Sequence, residues 1–174
     1  MNVEVIEASQ QDQSVIQNLG RHYVYEMSRF CGHRPGWEVP SDGLYECRDL
    51  SSYWKIPGMA FFIKVDDELA GFALINKGGS DPHVEWDLGE FFVMAKFQGR
   101  GVGKSAAEQI FDRFPGVWEV RQMPENHSAC VFWERVIRHY TRGQFSCEEK
   151  IIPSADPDPM VVLQFRSLGR EEQA

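Results

Sequence analysis

The chain has 174 residues, of which 43% are hydrophobic and 13% aromatic, and its formal net charge is −8. This composition indicates one globular domain over residues 1–174 and excludes a disordered chain. The acidic balance argues against a nucleic-acid partner, because phosphate contacts need clustered Lys and Arg. No apolar run approaches the length of a membrane span, so we expect no membrane partner.

Cysteine usage and the start of the sequence bear on compartment and metal binding. The stretch MNVEVIEASQQDQ is polar and has no apolar signal-peptide core, and no cysteine pair shows C-x-x-C spacing. We therefore expect a cytoplasmic protein with reduced thiols and no metal site.

The first half of the chain predicts a strand, a long helix and a hairpin. NVEVIEA alternates like a strand, and Ile16, Leu19 and Tyr23 then follow near helical spacing. After a loop rich in glycine and proline, LYECRDLSSYW is ambiguous, with a short helix as one interpretation. MAFFIKV and LAGFALINK, separated by DDE, predict an antiparallel hairpin.

The second half predicts four more strands and two helices. VEWDLGEFFVMA is typical of a strand that leads into a glycine loop, VGKSAAEQIFDRF of a helix, and VWEVRQM of a further strand. SACVFWERVIRHYT is the clearest helix, and FSCEEKII and MVVLQF predict two closing strands around the turn PSADPDP. The order β-α-(α)-β-β-β-α-β-α-β-β favours an α/β (α+β) fold, a mixed central sheet of about seven strands flanked by helices on both faces.

The glycine loop FQGRGVGKSAA, residues 97–107, precedes a helix. Unpaired amide groups and the helix dipole favour anions at such a place. A Walker A loop fits poorly, because Gln98 stands where that motif needs glycine. Gly101, Gly103 and Ala106 match a dinucleotide fingerprint, but a hairpin precedes the motif instead of repeated βαβ units.

A third pattern, Q/R-x-x-G-x-G/A, is matched by Gln98, Gly101 and Gly103. With it the chain resembles the GNAT superfamily of N-acetyltransferases, whose loop follows the fourth strand and holds the pyrophosphate of acetyl-CoA. A second family motif, N-x-x-A-x-x-φ-aromatic, is matched by NHSACVFW at residues 126–133. The resemblance covers residues 3–165 and implies a single GNAT domain, acyltransferase activity, acetyl-CoA as co-substrate, an amine acceptor and, as in many members, a homodimer.

The resemblance also implies which residues hold acetyl-CoA. A backbone N–H of the bulged fourth strand polarises the acetyl carbonyl, and the matching residue is Val93, five before Gln98. Loop amides take the pyrophosphate, and Arg100 and Lys104 add charge. The expected acetyl-CoA contacts are Phe92, Val93, Met94, Gln98, Gly99, Arg100, Gly101, Val102, Gly103, Lys104, Ser105, Asn126 and Trp133.

Acetyl transfer to an amine requires a proton acceptor, because an alkylamine resembles lysine with a pKa of about 10.4. Family members that use a base often place a glutamate early on the fourth strand, and the matching position here is Asp87. We favour Glu90 over Asp87, since an acid between Gly89 and two phenylalanines on a central strand is costly without a purpose or a partner. Glu85 is a further option, and a structural hydrogen bond is the alternative for each.

The proton donor to the departing thiolate is left open. Trp133 stands where many family members have tyrosine, and an indole N–H cannot act as a general acid in this range. His127, Tyr23 and Tyr25 are candidates, and unassisted departure of the thiolate is another route.

Aromatic and acidic residues are frequent in YVYEMSRFCGHRPGW and LYECRDLSSYW, which would suit a cationic amine. We expect an N-acetyltransferase that moves the acetyl group of acetyl-CoA to a primary amine of a small molecule by direct attack in a ternary complex. Two alternatives stay open: an acetyltransferase acting on protein N-termini or lysines, and a non-catalytic acyl-CoA-binding module on the same fold.

Overall fold

The computed structural model describes residues 1–56, 59–152 and 156–169, and its elements follow the order expected from the sequence. They are β1 (Val3–Glu7), α1 (Gln13–Cys31), β2 (Ala60–Val65), β3 (Glu68–Lys77), β4 (Trp86–Val93), α2 (Val102–Arg113), β5 (Gly116–Gln122), α3 (His127–Tyr140), β6 (Phe145–Ile152) and β7 (Asp156–Ser167).

The strands form one mixed sheet of seven strands in the order β1-β2-β3-β4-β5-β7-β6. All neighbours are antiparallel except β4 and β5, which run parallel. Helix α2 makes the crossover between this parallel pair, as a parallel connection requires. The predicted α/β fold with a mixed sheet is confirmed.

Helices cover both faces of the sheet. Ile16 and Leu19 of α1 pack with Phe72 and Leu74 of β3 on one face. On the other face, the apolar sides of α2 and α3 pack against the sheet in a larger cluster that includes Ile110, Phe111, Val136, Ile137 and Trp118. Each fully buried side chain of this size contributes about 1.5–3 kcal/mol relative to exposure, so the two cores fix both helix layers.

Two segments differ from the sequence expectation. The ambiguous stretch before β2 forms only a 3-10 turn, Ser51–Trp54. Strand β7 already begins at Asp156, within the predicted turn, and residues 153–155 of that turn lie outside the described residues. Prolines suggested a turn here, but they are tolerated where a strand begins, and Pro159 pairs with Ile151 beside a register shift.

The parallel strands β4 and β5 part soon after they meet. They pair only at Trp86↔Trp118 and Asp87↔Glu119, although β4 continues to Val93 and β5 to Gln122. Gly89 is an extra residue on β4, because Leu74 of β3 pairs with Glu90 and Ile75 with Leu88. A bulge therefore bends β4 where the gap between the two strands opens.

Charged side chains link β4 and β5 close to their last paired residues, where the gap begins. Asp87, only 2% exposed, accepts hydrogen bonds from Arg121 Nη2 at 2.7 Å and from Asn76 Nδ2 at 2.9 Å. Glu119 is fully buried, with its Oε1 3.4 Å from Arg121 Nε. Burial raises the pKa of Asp87, and the Arg121 guanidinium opposes that rise. Arg121 is thus the cation that both buried carboxylates share.

Replacing Arg121 with methionine leaves Asp87 and Glu119 buried without this cation. Loss of one partner of a buried ion pair costs about 3–5 kcal/mol, and we expect the free energy of unfolding in urea to fall by that order. The matched control is Arg138→Met, which breaks the exposed pair with Glu134 on α3 and should cost under about 0.5 kcal/mol. Equal losses in the two variants would contradict a special role for Arg121.

Candidate active site

The glycine loop presents a row of unpaired amide groups. Gly99 and Gly101 have φ values of 71° and 83°, and Gly101 is the left-handed N-cap of α2. The first amide of the helix that bonds backwards is Ser105 N, 3.0 Å from Gly101 O. Among the described residues, the amides of residues 99–104 find no acceptor. The loop is therefore built to surround an anion with N–H donors.

The third glycine of the loop is required by packing. A Cβ on Gly103 would stand 3.0 Å from Phe132 Cζ of α3 and 3.7 Å from Phe91 Cε1 of β4. The absent side chain lets the first turn of α2 approach this aromatic pair closely. The loop, α3 and β4 consequently meet at Gly103.

The two cations expected at the loop differ in their surroundings. Lys104 Nζ lies 3.3 Å from His139 Nε2 and 3.8 Å from Glu108 Oε1, so it reaches toward the last turn of α3. Arg100 is exposed on the loop itself. Ser105 Oγ accepts a hydrogen bond from Gln109 Nε2 at 3.3 Å, inside α2. Arg100 is thus the better placed of the two cations to reach a ligand at the loop.

The end of β4 directs a backbone donor into the gap. Met94 N donates to Ala70 O of β3 at 2.8 Å. Because hydrogen-bonding directions alternate along an antiparallel strand, the N–H and C=O of Val93 face the other way, toward β5. Gln98 Nε2 donates to Val93 O at 2.7 Å. The motif glutamine thereby satisfies the carbonyl and leaves the Val93 N–H as the open donor in the gap.

A cavity of about 590 Å³ occupies the gap between β4 and β5. Helix α1 contributes Tyr23 and Met27 to its wall, and Trp133 and Asn126 come from α3. Its wall thus includes residues from helices on both faces, as expected for a passage between two separated strands.

One buried acceptor on the cavity wall has no donor. Gln122, the last residue of β5, is 6% exposed, and its Nε2 donates to Val161 O at 2.8 Å. Because a carbonyl can only accept, this bond fixes which end of the amide is the oxygen. Gln122 Oε1 is buried without a partner among the described residues, which costs free energy. The row of loop amides fits a ligand that carries phosphates, as coenzyme A does.

Asn126 and Trp133 both line the cavity but also have structural roles. Asn126 caps α3, because its Oδ1 accepts from Ala129 N at 3.1 Å and from Ser128 Oγ at 2.8 Å. Trp133 is 7% exposed and packs edge-on against Phe91 with ring centroids 5.0 Å apart. Trp133 therefore supplies an apolar wall.

Glu90 follows the bulge of β4 and faces α1. Its side chain is 13% exposed, and its Oε1 accepts from Arg48 Nη2 at 2.7 Å and from Arg48 Nε at 3.2 Å. Arg48 Nη2 also lies 3.2 Å from Tyr53 Oη. The Arg48 side chain itself is 60% exposed. Glu90 is thus a carboxylate at a cavity wall, paired with a mostly exposed cation.

The other two candidate bases are bound within the structure. Asp87 is held by Arg121 and Asn76 below the gap, and it is not among the described residues of the cavity wall. Glu85 Oε1 accepts from Val117 N at 3.0 Å, at the start of β5. The structure therefore brings only Glu90 of these three to the cavity.

A second cavity, of about 620 Å³, adjoins the first on the α1 side. The two share wall residues, namely Tyr23, Met27, Arg48 and Glu90. The second is otherwise lined by residues of α1 and of the loop that follows it, including Trp37, Glu38, Asp42, Tyr45 and Glu46. Glu90 accordingly lies where the two cavities meet.

Sequence reasoning missed Arg48 and Gln122 and left Tyr23 as one option among several. Arg48 lies in an irregular segment without periodicity, so no pattern could pair it with Glu90. Gln122 ends a strand and has no motif. Tyr23 had a signal, because helical spacing placed it on the buried side of α1.

The parted strands, the row of loop amides and the cavity between the strands are features that suit an acyl-CoA-dependent transferase. The model of the acetyltransferase (GNAT) family matches residues 22–137, and the chain belongs to this family, whose members are acyltransferases that use acetyl-CoA. No curated protein matches the sequence.

Solved acetyltransferases share the fold. A GNAT-family acetyltransferase from Streptococcus agalactiae is 15% identical, with a TM-score of 0.67 over 94% of this chain and 95% of that one. An acetyltransferase from Thermus thermophilus is 14% identical, with a TM-score of 0.66 over 95% and 97%. A candidate streptothricin acetyltransferase from Bacillus anthracis, solved with acetyl coenzyme A, is 14% identical, with a TM-score of 0.56 over 95% and 99%. Identities this low establish the fold alone.

In residues 1–56, 59–152 and 156–169, no helix combines the length and apolarity that a membrane crossing needs. The same ranges hold no cluster of three or more His, Cys, Asp or Glu side chains suited to a metal ion.

Replacing Gly101 with alanine tests the loop. A Cβ there meets nothing within 4 Å, so the cost comes from the left-handed backbone, about 1–2 kcal/mol for most residues. We expect calorimetric titration to show coenzyme A binding weakened by about fivefold or more. Gly101→Asn is the matched control, because asparagine tolerates this conformation and should lose less. Unchanged binding by the alanine variant would contradict the anion cradle.

Proposed function

We propose that the protein transfers the acetyl group of acetyl-CoA to the primary amine of a small cationic molecule, by direct attack in a ternary complex. The observation that carries this proposal is the meeting of two cavities at Glu90. One cavity lies between β4 and β5, and its wall includes Phe91, against which Gly103 of the glycine loop packs. The other opens among acids and aromatics on the α1 side. An acetyl donor and an amine acceptor can thus approach one carboxylate from different directions.

Acetyl-CoA supplies an activated thioester, and this chain supplies binding and charge. The amides of residues 99–104 face the phosphates, with Arg100 beside them. Phe91 and Trp133 line the cavity between the two strands. The Val93 N–H points into the same gap and can donate to the carbonyl oxygen as negative charge develops there. One such preorganised donor lowers the barrier by roughly 3 kcal/mol.

Glu90 is the proposed base. Arg48 Nη2 lies 2.7 Å from Glu90 Oε1, so a cation already occupies the place beside this carboxylate. A cationic acceptor can take that place, because the Arg48 side chain is 60% exposed and has solvent to move into. Once the amine is seated, Glu90 removes its proton and frees the lone pair for attack.

The acceptor cavity suggests the kind of amine. Glu38, Asp42 and Glu46 line it together with Trp37 and Tyr45. Carboxylates attract a cation, and aromatic faces stabilise one by the cation–π interaction. A cavity of about 620 Å³ is also within the size range of sites for small molecules.

The first experiment measures thiol release from acetyl-CoA by the purified protein with a panel of polyamines, aminoglycosides, amino acids and short peptides. Release that depends on a small cationic amine supports the proposal and identifies the acceptor class. Release with peptides alone would replace it with a protein N-terminal or lysine acetyltransferase. Saturable acetyl-CoA binding without release by any amine would overturn the proposed reaction.

Glu90→Gln should lower kcat on the order of a hundredfold or more, because the amide cannot accept the amine proton. Dissociation constants for coenzyme A, measured by calorimetry, should stay unchanged. Glu68→Gln, which removes an exposed acid of β3 paired with Lys96, is the matched control and should keep full activity. If Asp87→Asn abolishes kcat while Glu90→Gln does not, the base assignment is wrong.

The acids of the acceptor cavity should act on the binding of the amine. In the double variant Glu38→Gln with Asp42→Asn, the KM of a cationic amine should rise by about fivefold, at about 0.5 kcal/mol per lost charge contact, with kcat nearly constant. Raising the salt concentration should reduce the difference from wild type, because exposed charges are screened. An unchanged KM at low salt would mean that the amine binds elsewhere.

A further inference from the structure

We propose that Tyr23 of α1 is the catalytic acid that protonates the departing thiolate. Many family members have a tyrosine on α3 at the position where this chain has Trp133. The inference rests on the proposed function, since it assigns a residue to the same reaction. It is carried by the residues that line the passage between β4 and β5.

Few groups on that cavity wall have a proton to give at neutral pH. Of the described residues that line it, Arg48 and Arg121 hold their protons too tightly, and Glu90 is the proposed base. Its remaining residues, Tyr23 excepted, are apolar, glycine or amide side chains, which do not exchange protons as acids. The phenol of Tyr23 is the one proton donor left in this set.

Packing places Tyr23 at the junction of the two cavities. Its ring lies edge-on to Phe72 of β3 at a centroid distance of 6.2 Å and beside Phe92 of β4 at 5.9 Å. Tyr23 lines both cavities, as Glu90 does. The two aromatic contacts hold the ring between α1 and the sheet, so its hydroxyl is presented beside the base.

The other candidates from the sequence are placed elsewhere. Tyr25 is 65% exposed and faces Tyr45 with ring centroids 6.3 Å apart. His127 lines a separate groove beside His33 and Glu149. None of these residues borders the passage.

The surroundings of Tyr23 keep its proton in place. Burial raises the pKa of Tyr23 well above its ordinary value of 10, and the Glu90 carboxylate raises it further. A raised pKa means that the phenol stays protonated through the whole neutral range. Tyr23 therefore enters each turnover in the donor form.

The proton transfers balance without any further reactant. The amine nitrogen forms a bond to the acetyl carbon, and the carbon–sulfur bond breaks with its electron pair going to sulfur. The cationic amine loses two protons. Glu90 takes the first, which frees the lone pair, and passes it to solvent; after the attack Glu90 takes the second from the nitrogen, and the Tyr23 hydroxyl gives its proton to sulfur. The protonated Glu90 then returns a proton to the Tyr23 oxygen, so the products are the acetamide, the free thiol of coenzyme A and one proton released to water.

Tyr23→Phe keeps the ring and its aromatic contacts but removes the proton. We expect kcat to fall by about a hundredfold, while the KM of the amine and the calorimetric dissociation constant of coenzyme A stay within about twofold. Tyr25→Phe, two residues further along α1, is the matched control and should behave as wild type. Incorporating 3-fluorotyrosine at position 23 restores a hydroxyl and should restore kcat.

A readout independent of turnover is the ultraviolet titration of the five tyrosines. Burial raises the pKa of Tyr53 as well as that of Tyr23, so wild type should show more than one late-ionising tyrosine; Tyr23→Phe should lose one of them, and Tyr25→Phe should keep them all. The inference is overturned if Tyr23→Phe keeps wild-type kcat, or if 3-fluorotyrosine fails to restore a lost kcat. Absence of amine-dependent thiol release by wild type itself would instead overturn the proposed function, so the two failures are distinguishable.

Discussion

The separation of β4 from β5 is the constraint on which the rest of the structure depends. Two neighbouring strands normally satisfy each other's backbone groups, and here they do so over only two residue pairs. Beyond that point the Val93 amide and the end of β5 face a gap that a ligand can fill. The buried charges of Asp87, Arg121 and Glu119 stand below the opening and hold the strands together where pairing ends. The gap therefore begins at a fixed position, directly after the last pair Asp87↔Glu119.

The bulge at Gly89 has a geometric effect on the choice of base. In a regular strand, residues three apart point to opposite faces, so Asp87 and Glu90 would be separated by the sheet. The extra residue puts both on the α1 face. There Tyr53 Oη lies 3.2 Å from Arg48, the partner of Glu90, and 3.5 Å from Asn76, the partner of Asp87. The two acids thus belong to one hydrogen-bonded cluster, yet only Glu90 reaches the cavities.

Periodicity and motif spacing predicted the fold well, because burial repeats along α1, α3 and the central strands. The loop motif predicted an anion-binding turn, and the structure gives each of its residues a physical reason, including the bond from Gln98 to Val93 O. The contact of Arg48 with Glu90 was beyond such reasoning, because it joins an irregular loop to a strand 42 residues away. The orientation of the Gln122 amide was equally beyond it, because Gln122 Nε2 bonds Val161 O of β7 and Oε1 is left without a partner among the described residues. Local sequence patterns predict the helices and strands, whereas these side-chain contacts form only when distant segments of the chain meet.

The walls of the two cavities come from largely separate parts of the chain. The cavity proposed for the acceptor is lined by residues 23–48 and Glu90, whereas most of the wall of the cavity proposed for the acetyl donor comes from residues 88–133. The loop after α1 is also the longest stretch without regular helix or strand among the described residues. Grafting the contiguous surface segment 23–48 from another protein could consequently change the amine specificity. The residues proposed to bind acetyl-CoA would stay as they are. The same layout makes the scaffold a convenient host for engineering new amine specificities.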